Sequence, residues 1–188
     1  DPEVRRHILE QKREHRSNLM QQVTQGFEKM FRLGDPPNYE PAAEDSILAI
    51  ARREGREPQE VAYDILLERD GHELIFLPFT NYTERNHEII LEMMKDDQSL
   101  FGLGDGGAHC GLICDATIPT YLLTHWVRDR NRGERLPLEW IVKRQTRDNA
   151  EFFGLHDRGT LAPGMKADVN LIDFDRLTLK PPHIVHDL

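Results

Sequence analysis

The sequence predicts an α/β protein, and three observations carry that expectation. Two apolar runs, 74–77 and 100–103, are too short for helices and read as buried strands. They alternate with segments of helical periodicity, so the order helix, strand, helix, strand implies a parallel sheet with both faces covered. The last forty residues change character: they read as a strand, a Pro163-Gly164 turn and a second strand over 169–174.

Each element has a local cause. Residues 2–16 are expected to be helical, with Asp1 as cap, Pro2 in the first turn and Val4, Ile8 and Leu9 on one face. Gly34, Asp35, Pro36 and Pro37 then make 26–41 an irregular connection with a short strand over 29–33. From Ser46 a helix carries Ile47, Ile50 and Ala51 and stops at Gly55. Pro58 begins another, with Val61, Ala62, Ile65 and Leu66 as its apolar stripe up to Asp70-Gly71. The strand over 74–77 ends at Pro78 and places Thr80, Asn81 and Tyr82 at its tip. A helix over 84–95 follows, with Ile89, Ile90 and Met93, and then the strand over 100–103. Helices are expected over 120–130 and 137–153, the second opened by Pro137 and closed by Gly154.

Composition bounds the function classes. The 188 residues, 38% apolar and 30% charged, suit one globular domain of ordinary size. A net charge of −9 with dispersed Lys and Arg argues against a nucleic-acid surface. No apolar run approaches the ~20 residues that span a bilayer, so no membrane partner is expected. Cys110 and Cys114 make no disulfide framework, and a reducing, cytoplasmic compartment is the simpler reading. Beside His109 their C-x-x-x-C spacing could hold metal, but a structural zinc wants four ligands, and small buried thiols are the plainer account.

The chemistry concentrates after the second strand. There an apolar run delivers Asp105 into a turn with Gly104, Gly106 and Gly107 on either side, at the end of a strand where α/β proteins build their sites. A carboxylate so placed can ligate a divalent metal and shuttle a proton to a leaving group; a turn Asp that bonds its own backbone is the competing reading. His109 stands four residues on and can assist or be structural. Asn81 and Tyr82, at the preceding strand tip, face the same cleft or cap the strand end. Gly102, Gly104 and Gly107 also spell G-x-G-x-x-G, but no helix opens at the third glycine and no second parallel strand follows, so a dinucleotide site is rejected. His125, Trp126, Arg128, Arg147 and Trp140 fall on helices, where packing and surface pairing explain them. The chain has no HxH, HExxH, G-x-S-x-G or reactive-cysteine pattern.

The succession EDSILAIARREGREPQEVAYDILLERDG, LIFLPFTNY, GLGDGGAH and LPLEWIVKRQTRDNAEFFGLHDRGTLAPGMKADVNLIDFD resembles the C-terminal half of D-aminoacylase-like (N-acyl-D-amino-acid deacylase) members of the amidohydrolase superfamily. The resemblance runs from about Gly34 to Leu188. It implies the C-terminal portion of a (β/α)8 TIM barrel, over residues 1–155. A return segment over 156–188 would supply strands of a small, incomplete β-sandwich. On this resemblance 74–77 is the seventh barrel strand and Asp105, at the tip of the eighth, is the catalytic, metal-binding and proton-shuttling carboxylate. Asn81, Tyr82, Gly106, Gly107 and His109 would bind substrate. The remaining metal ligands would precede Asp1. Length agrees, since such a barrel needs about 250 residues and only two parallel strands are legible.

The resemblance implies a divalent metal, zinc foremost, as cofactor of the full-length parent, a small-molecule amide as substrate, and the N-terminal half of the same protein as partner. Where the family usually carries His-Pro-Arg after the Asp, with the Arg holding the substrate carboxylate, His109 is followed by Cys110 and Gly111. Thr120 stands where a second Arg is expected. The expected substrate is therefore an N-acyl amino acid or a related amide, cyclic amides included. The isolated chain is expected to be inactive and to self-associate through open sheet edges and uncovered helix faces. In the alternative reading the chain is a non-catalytic structural fragment whose contacts are with the missing half of the barrel.

Overall fold

Helix α1, Pro2–Glu10, starts where the sequence says it should: the Asp1 carboxylate accepts from the backbone N–H groups of Glu3 (2.8 Å) and Val4 (3.4 Å). It ends at Glu10, before the expected boundary; the computed structural model describes residues 1–11, 23, 25–102, 104 and 115–183. The chain divides into two compact units, Asp1–Asn86 with His183–Leu188, and His87–Pro182. Among the described residues no helix is long and apolar enough to cross a membrane.

The first unit is built on a helix pair. Ser46 caps α2, Ile47–Glu54, by accepting from Ala49 N at 3.2 Å, and Gly55 ends it in the left-handed region at φ 65°. Helix α3, Pro58–Gly71, has Pro58 in its first turn, and the Glu60 carboxylate reaches back to accept from Glu57 N at 3.4 Å. It closes through Arg69 and Asp70, both at positive φ. Ile47 and Ala51 of α2 meet Val61 and Ile65 of α3 one helical turn apart, and Met30 completes the core. Leu66, expected on the buried stripe, is 46% exposed.

The sheet differs from the expected one. Strand β1, Phe31–Arg32, lies within the short strand anticipated over 29–33. It pairs with β2, Ile75–Phe76, in antiparallel register, Phe31 opposite Phe76 and Arg32 opposite Ile75. Leu33 N donates to Leu74 O at 2.9 Å and extends the ladder. An apolar run announces burial but carries no direction, and the neighbour that 75–76 has among the described residues is the antiparallel β1, not the parallel 100–103 expected. Buried Glu73 fixes the end of this ladder, its carboxylate accepting from Gly34 N (3.1 Å) and Leu74 N (2.9 Å).

In the second unit α4, Glu88–Lys95, starts four residues later than expected because 84–87 form turns. Helix α5, Ile118–Tyr121, continues into a π-helix, Leu122–Asp129; α6 is Leu138–Gln145 and α7 Arg147–Phe152. The single helix expected over 137–153 breaks at Thr146, whose φ and ψ are −120° and −81°. Leu91, Met94, Leu122, Trp126, Leu136 and Ile141 form the core, with Phe101 and Trp140 packed against it.

The expected strand over 100–103 is not one over its described residues, 100–102. Side chains take the carbonyl of Phe101 and that of Ser99 just before the segment: Asn149 Nδ2 donates to Phe101 O at 2.8 Å and Arg144 to Ser99 O. The Phe101 carbonyl is thus met without a strand neighbour. Nor do 169–174 form a strand. Val169 (60%), Leu171 (102%) and Ile172 (47%) are exposed, and a strand pattern without a second strand to pair with stays extended chain. The turn before it forms as expected, with Gly164 at φ 86° and Met165 N bonded to Ala162 O at 3.1 Å. Arg128 holds the segment by donating to Phe174 O (2.6 Å) and Leu177 O (2.7 Å).

The first unit's helix pair sets a stability test. Ile47 is fully buried, so Ile47→Ala should cost about 2–5 kcal/mol in urea unfolding. Leu66→Ala, on the exposed face of α3, should stay within about 0.5 kcal/mol.

Candidate functional site

Asp105, Gly106, Gly107, His109, Cys110 and Cys114 lie outside the described residues. Asn81 and Tyr82 are described, both in the first unit. Asn81 is exposed at φ 57°, a left-handed conformation that its short amide tolerates. Tyr82 is buried; its hydroxyl donates to Pro41 O and its ring meets Phe31 edge to face at 6.2 Å. Arg85 Nη1 donates to Tyr82 O at 3.0 Å, so the turn presenting Asn81 is held from both sides of Tyr82.

The second unit gathers a cluster of aromatic rings and imidazoles that sequence reasoning did not assemble. His87, at the N-cap of α4, stacks on Trp126 with centroids 5.9 Å apart and planes at 28°. His125 stacks on Tyr121 at 4.6 Å and 10°, the contact that residues four apart on one helix make. The two imidazoles face each other edge-on at 5.7 Å, with ring nitrogens within 4.8 Å. Trp126 and His125 are adjacent in sequence yet both turn into the cluster, and they sit in a π-helix, a geometry that recurs at functional sites. Nothing local signals the pair, because His87 and His125 are 38 positions apart.

A buried charge fixes this arrangement. The Arg130 side chain is 0% exposed and lies over the Trp126 ring at 4.6 Å. Its guanidinium donates to Glu88 Oε1 at 2.7 Å and to Glu134 O at 2.8 Å, and its backbone N–H donates to His125 O at 2.8 Å, closing the π-helix. Taking a guanidinium out of water is costly without partners, and Glu88, the Glu134 carbonyl and the Trp126 ring supply them. Gly133 makes room: a Cβ there would lie 2.3 Å from Glu88 Oε1 and 2.6 Å from Arg130 Nη2, at φ 150°. Trp126 and Trp140 thus act as packing anchors. Arg128 and Arg147 pair with Asp129 and Glu151 at 2.6 Å each, as expected of helix-surface cations.

Chemically, two imidazoles fixed by stacking are good nitrogen ligands for a divalent first-row metal. A catalytic zinc takes three protein ligands and a water, so a third ligand has to come from outside the described residues of this unit.

Comparison with known proteins gives one match. The model of a family described as the amidohydrolase family matches residues 12–188. No curated protein and no solved structure matches the chain.

The Arg130 arrangement is open to direct test. Glu88→Gln keeps an acceptor and removes its charge, and should lower unfolding stability by about 1–2 kcal/mol, the Glu88 side chain being 54% exposed. Gly133→Ala overpacks a site where the buried Arg130 has no room to give, and should cost about 1–3 kcal/mol. Both are read as shifts of the urea midpoint at unchanged slope.

Proposed function

The chain belongs to the amidohydrolase family, and on that footing we propose that it forms the C-terminal part of a metal-dependent hydrolase cleaving an amide C–N bond outside peptides. The family match over residues 12–188 carries this reading, since membership brings metal-dependent hydrolysis of amide bonds on a TIM barrel. Within the family we place the chain in the D-aminoacylase-like branch, on the run GLGDGGAH and the closing FGLHDRGTLAPGMKADVNLIDFD. The substrate is then an N-acyl amino acid or a related amide. Asp105 takes a proton from the attacking water and returns it to the departing nitrogen, while Asn81, Tyr82, Gly106, Gly107 and His109 border the substrate, Tyr82 by holding the turn that carries Asn81.

The described residues of the second unit bring two imidazoles together and do not complete a catalytic metal centre. The remaining ligands are proposed to be Asp105 and side chains of the N-terminal half of the enzyme. Val169, Leu171 and Ile172, exposed and unpaired with any strand among the described residues, support that half as the partner. The same surfaces favour the second reading, in which the chain by itself is a structural portion that associates with its own copies when the other half is absent.

Asp105→Asn in the full-length parent should lower kcat at least about a hundredfold with a smaller change in substrate binding. A kcat within a few-fold of the parent would make Asp105 a turn residue. The 188-residue chain alone should show no turnover of N-acyl amino acids and should scatter light as a dimer or larger. Stoichiometric zinc with turnover, measured on that chain, would overturn the proposed division of ligands.

A further inference from the structure

Phe101 stands four positions before Asp105 in the chain, and α6 and α7 both hold it. Arg144 of α6 lays its guanidinium over the Phe101 ring at 5.2 Å and donates to the Ser99 carbonyl, while Trp140 meets the same ring edge to face at 5.6 Å. Asn149 of α7 reaches across 48 positions of sequence to donate from Nδ2 to the Phe101 carbonyl at 2.8 Å. Among the described residues the restraint ends there. A Cβ at Gly102 would meet no heavy atom of them within 4 Å, and Gly104 adds a second free joint before the carboxylate. We propose that Asn149 is a positioning residue for Asp105, setting the direction in which the chain leaves the core by holding the Phe101 carbonyl.

Peptide geometry carries the effect forward. A carbonyl and the N–H that follows it share one plane, so a donor fixed on the Phe101 oxygen fixes the plane from which Gly102 continues. The other end of the amide, Asn149 Oδ1, is buried with no hydrogen-bond partner among the described residues, so the donor alone orients this side chain. As a packing group the amide is a poor choice, because a buried amide oxygen without a partner costs stability. Its contribution is the orientation of the peptide after Phe101. A reacting group misplaced by about 1 Å loses about a hundredfold in rate, which gives such a tether its weight. The inference rests on the hydrolase reading, in which Asp105 moves the proton.

The test joins a spectrum of the chain to the kinetics of the full-length parent. In the 188-residue chain, NMR should show a scalar coupling between Asn149 Nδ2 and the Phe101 carbonyl carbon. Asn149→Asp keeps the size of the side chain and removes the donor, and Asn149→Ala removes both without adding a charge; each should abolish the coupling. In the parent, assayed with N-acetyl amino acids of both hands, either variant should lower kcat about 10- to 100-fold while KM stays within about threefold. On an Asp105→Asn background the same substitution should change the residual kcat by less than about twofold, because a residue that acts through Asp105 then has nothing to position. Ile141→Val, which trims the core of the same unit by one methylene, should leave kcat within about twofold. Absence of the coupling in the wild type, a folded variant whose kcat matches the parent, or a loss that multiplies with Asp105→Asn would overturn the proposal. Should both variants unfold, Asn149→Gln, which moves the donor out by one methylene, gives the same readings. If Asp105→Asn costs about a hundredfold in kcat and the Asn149 variants cost nothing, only the positioning role falls. If Asp105→Asn leaves kcat as it was, or the parent hydrolyses no amide, the hydrolase reading falls, and the coupling still reports whether Asn149 holds Phe101.

Discussion

Extended backbone with few strand neighbours has to find partners for its N–H and C=O groups, and in this chain polar and charged side chains provide them. Glu73 accepts from Gly34 and Leu74 where the β1–β2 ladder ends. Arg144 and Asn149 donate to the carbonyls of Ser99 and Phe101. Arg128 donates to those of Phe174 and Leu177, and Arg130 to that of Glu134. With only two strands of two residues each among the described residues, these bonds do for the connecting segments what a ladder does in a sheet. For Arg130 and Arg144 the energetic weight lies in what a lost acceptor would leave behind, a buried guanidinium short of a partner.

Arg130 is where this device meets the candidate site. Its guanidinium is anchored by Glu88 at the start of α4 and by the 134 carbonyl, and its flat face lies on Trp126. Trp126 in turn carries His87 on its ring system. The position of an imidazole therefore follows from the solvation of a charge on another element.

Much of the helical part was legible in the residues. Ser46 and Gly55 bound α2 because a hydroxyl caps an N-terminus and a glycine adopts the left-handed end. Pro58 opens α3 and Pro163-Gly164 turns the chain for equally local reasons. The apolar runs 74–77 and 100–103 were legible as segments that the core holds in place. What they became was decided elsewhere: the first pairs antiparallel with β1, and in the second the Phe101 carbonyl goes to Asn149 of α7.

The sequence by itself determined the caps, the helix stripes, the turn chemistry and the motif run that marks the family, because each depends on neighbours within a few positions along the chain. Only the tertiary structure decided the direction of the short sheet, the break at Thr146, the turn of Tyr82 into the core and the meeting of His87 with His125. Those features rest on contacts between residues far apart in sequence, or on packing that overrides a local preference. Periodicity reports which face of an element is apolar; which element that face meets is settled when distant segments close on one another.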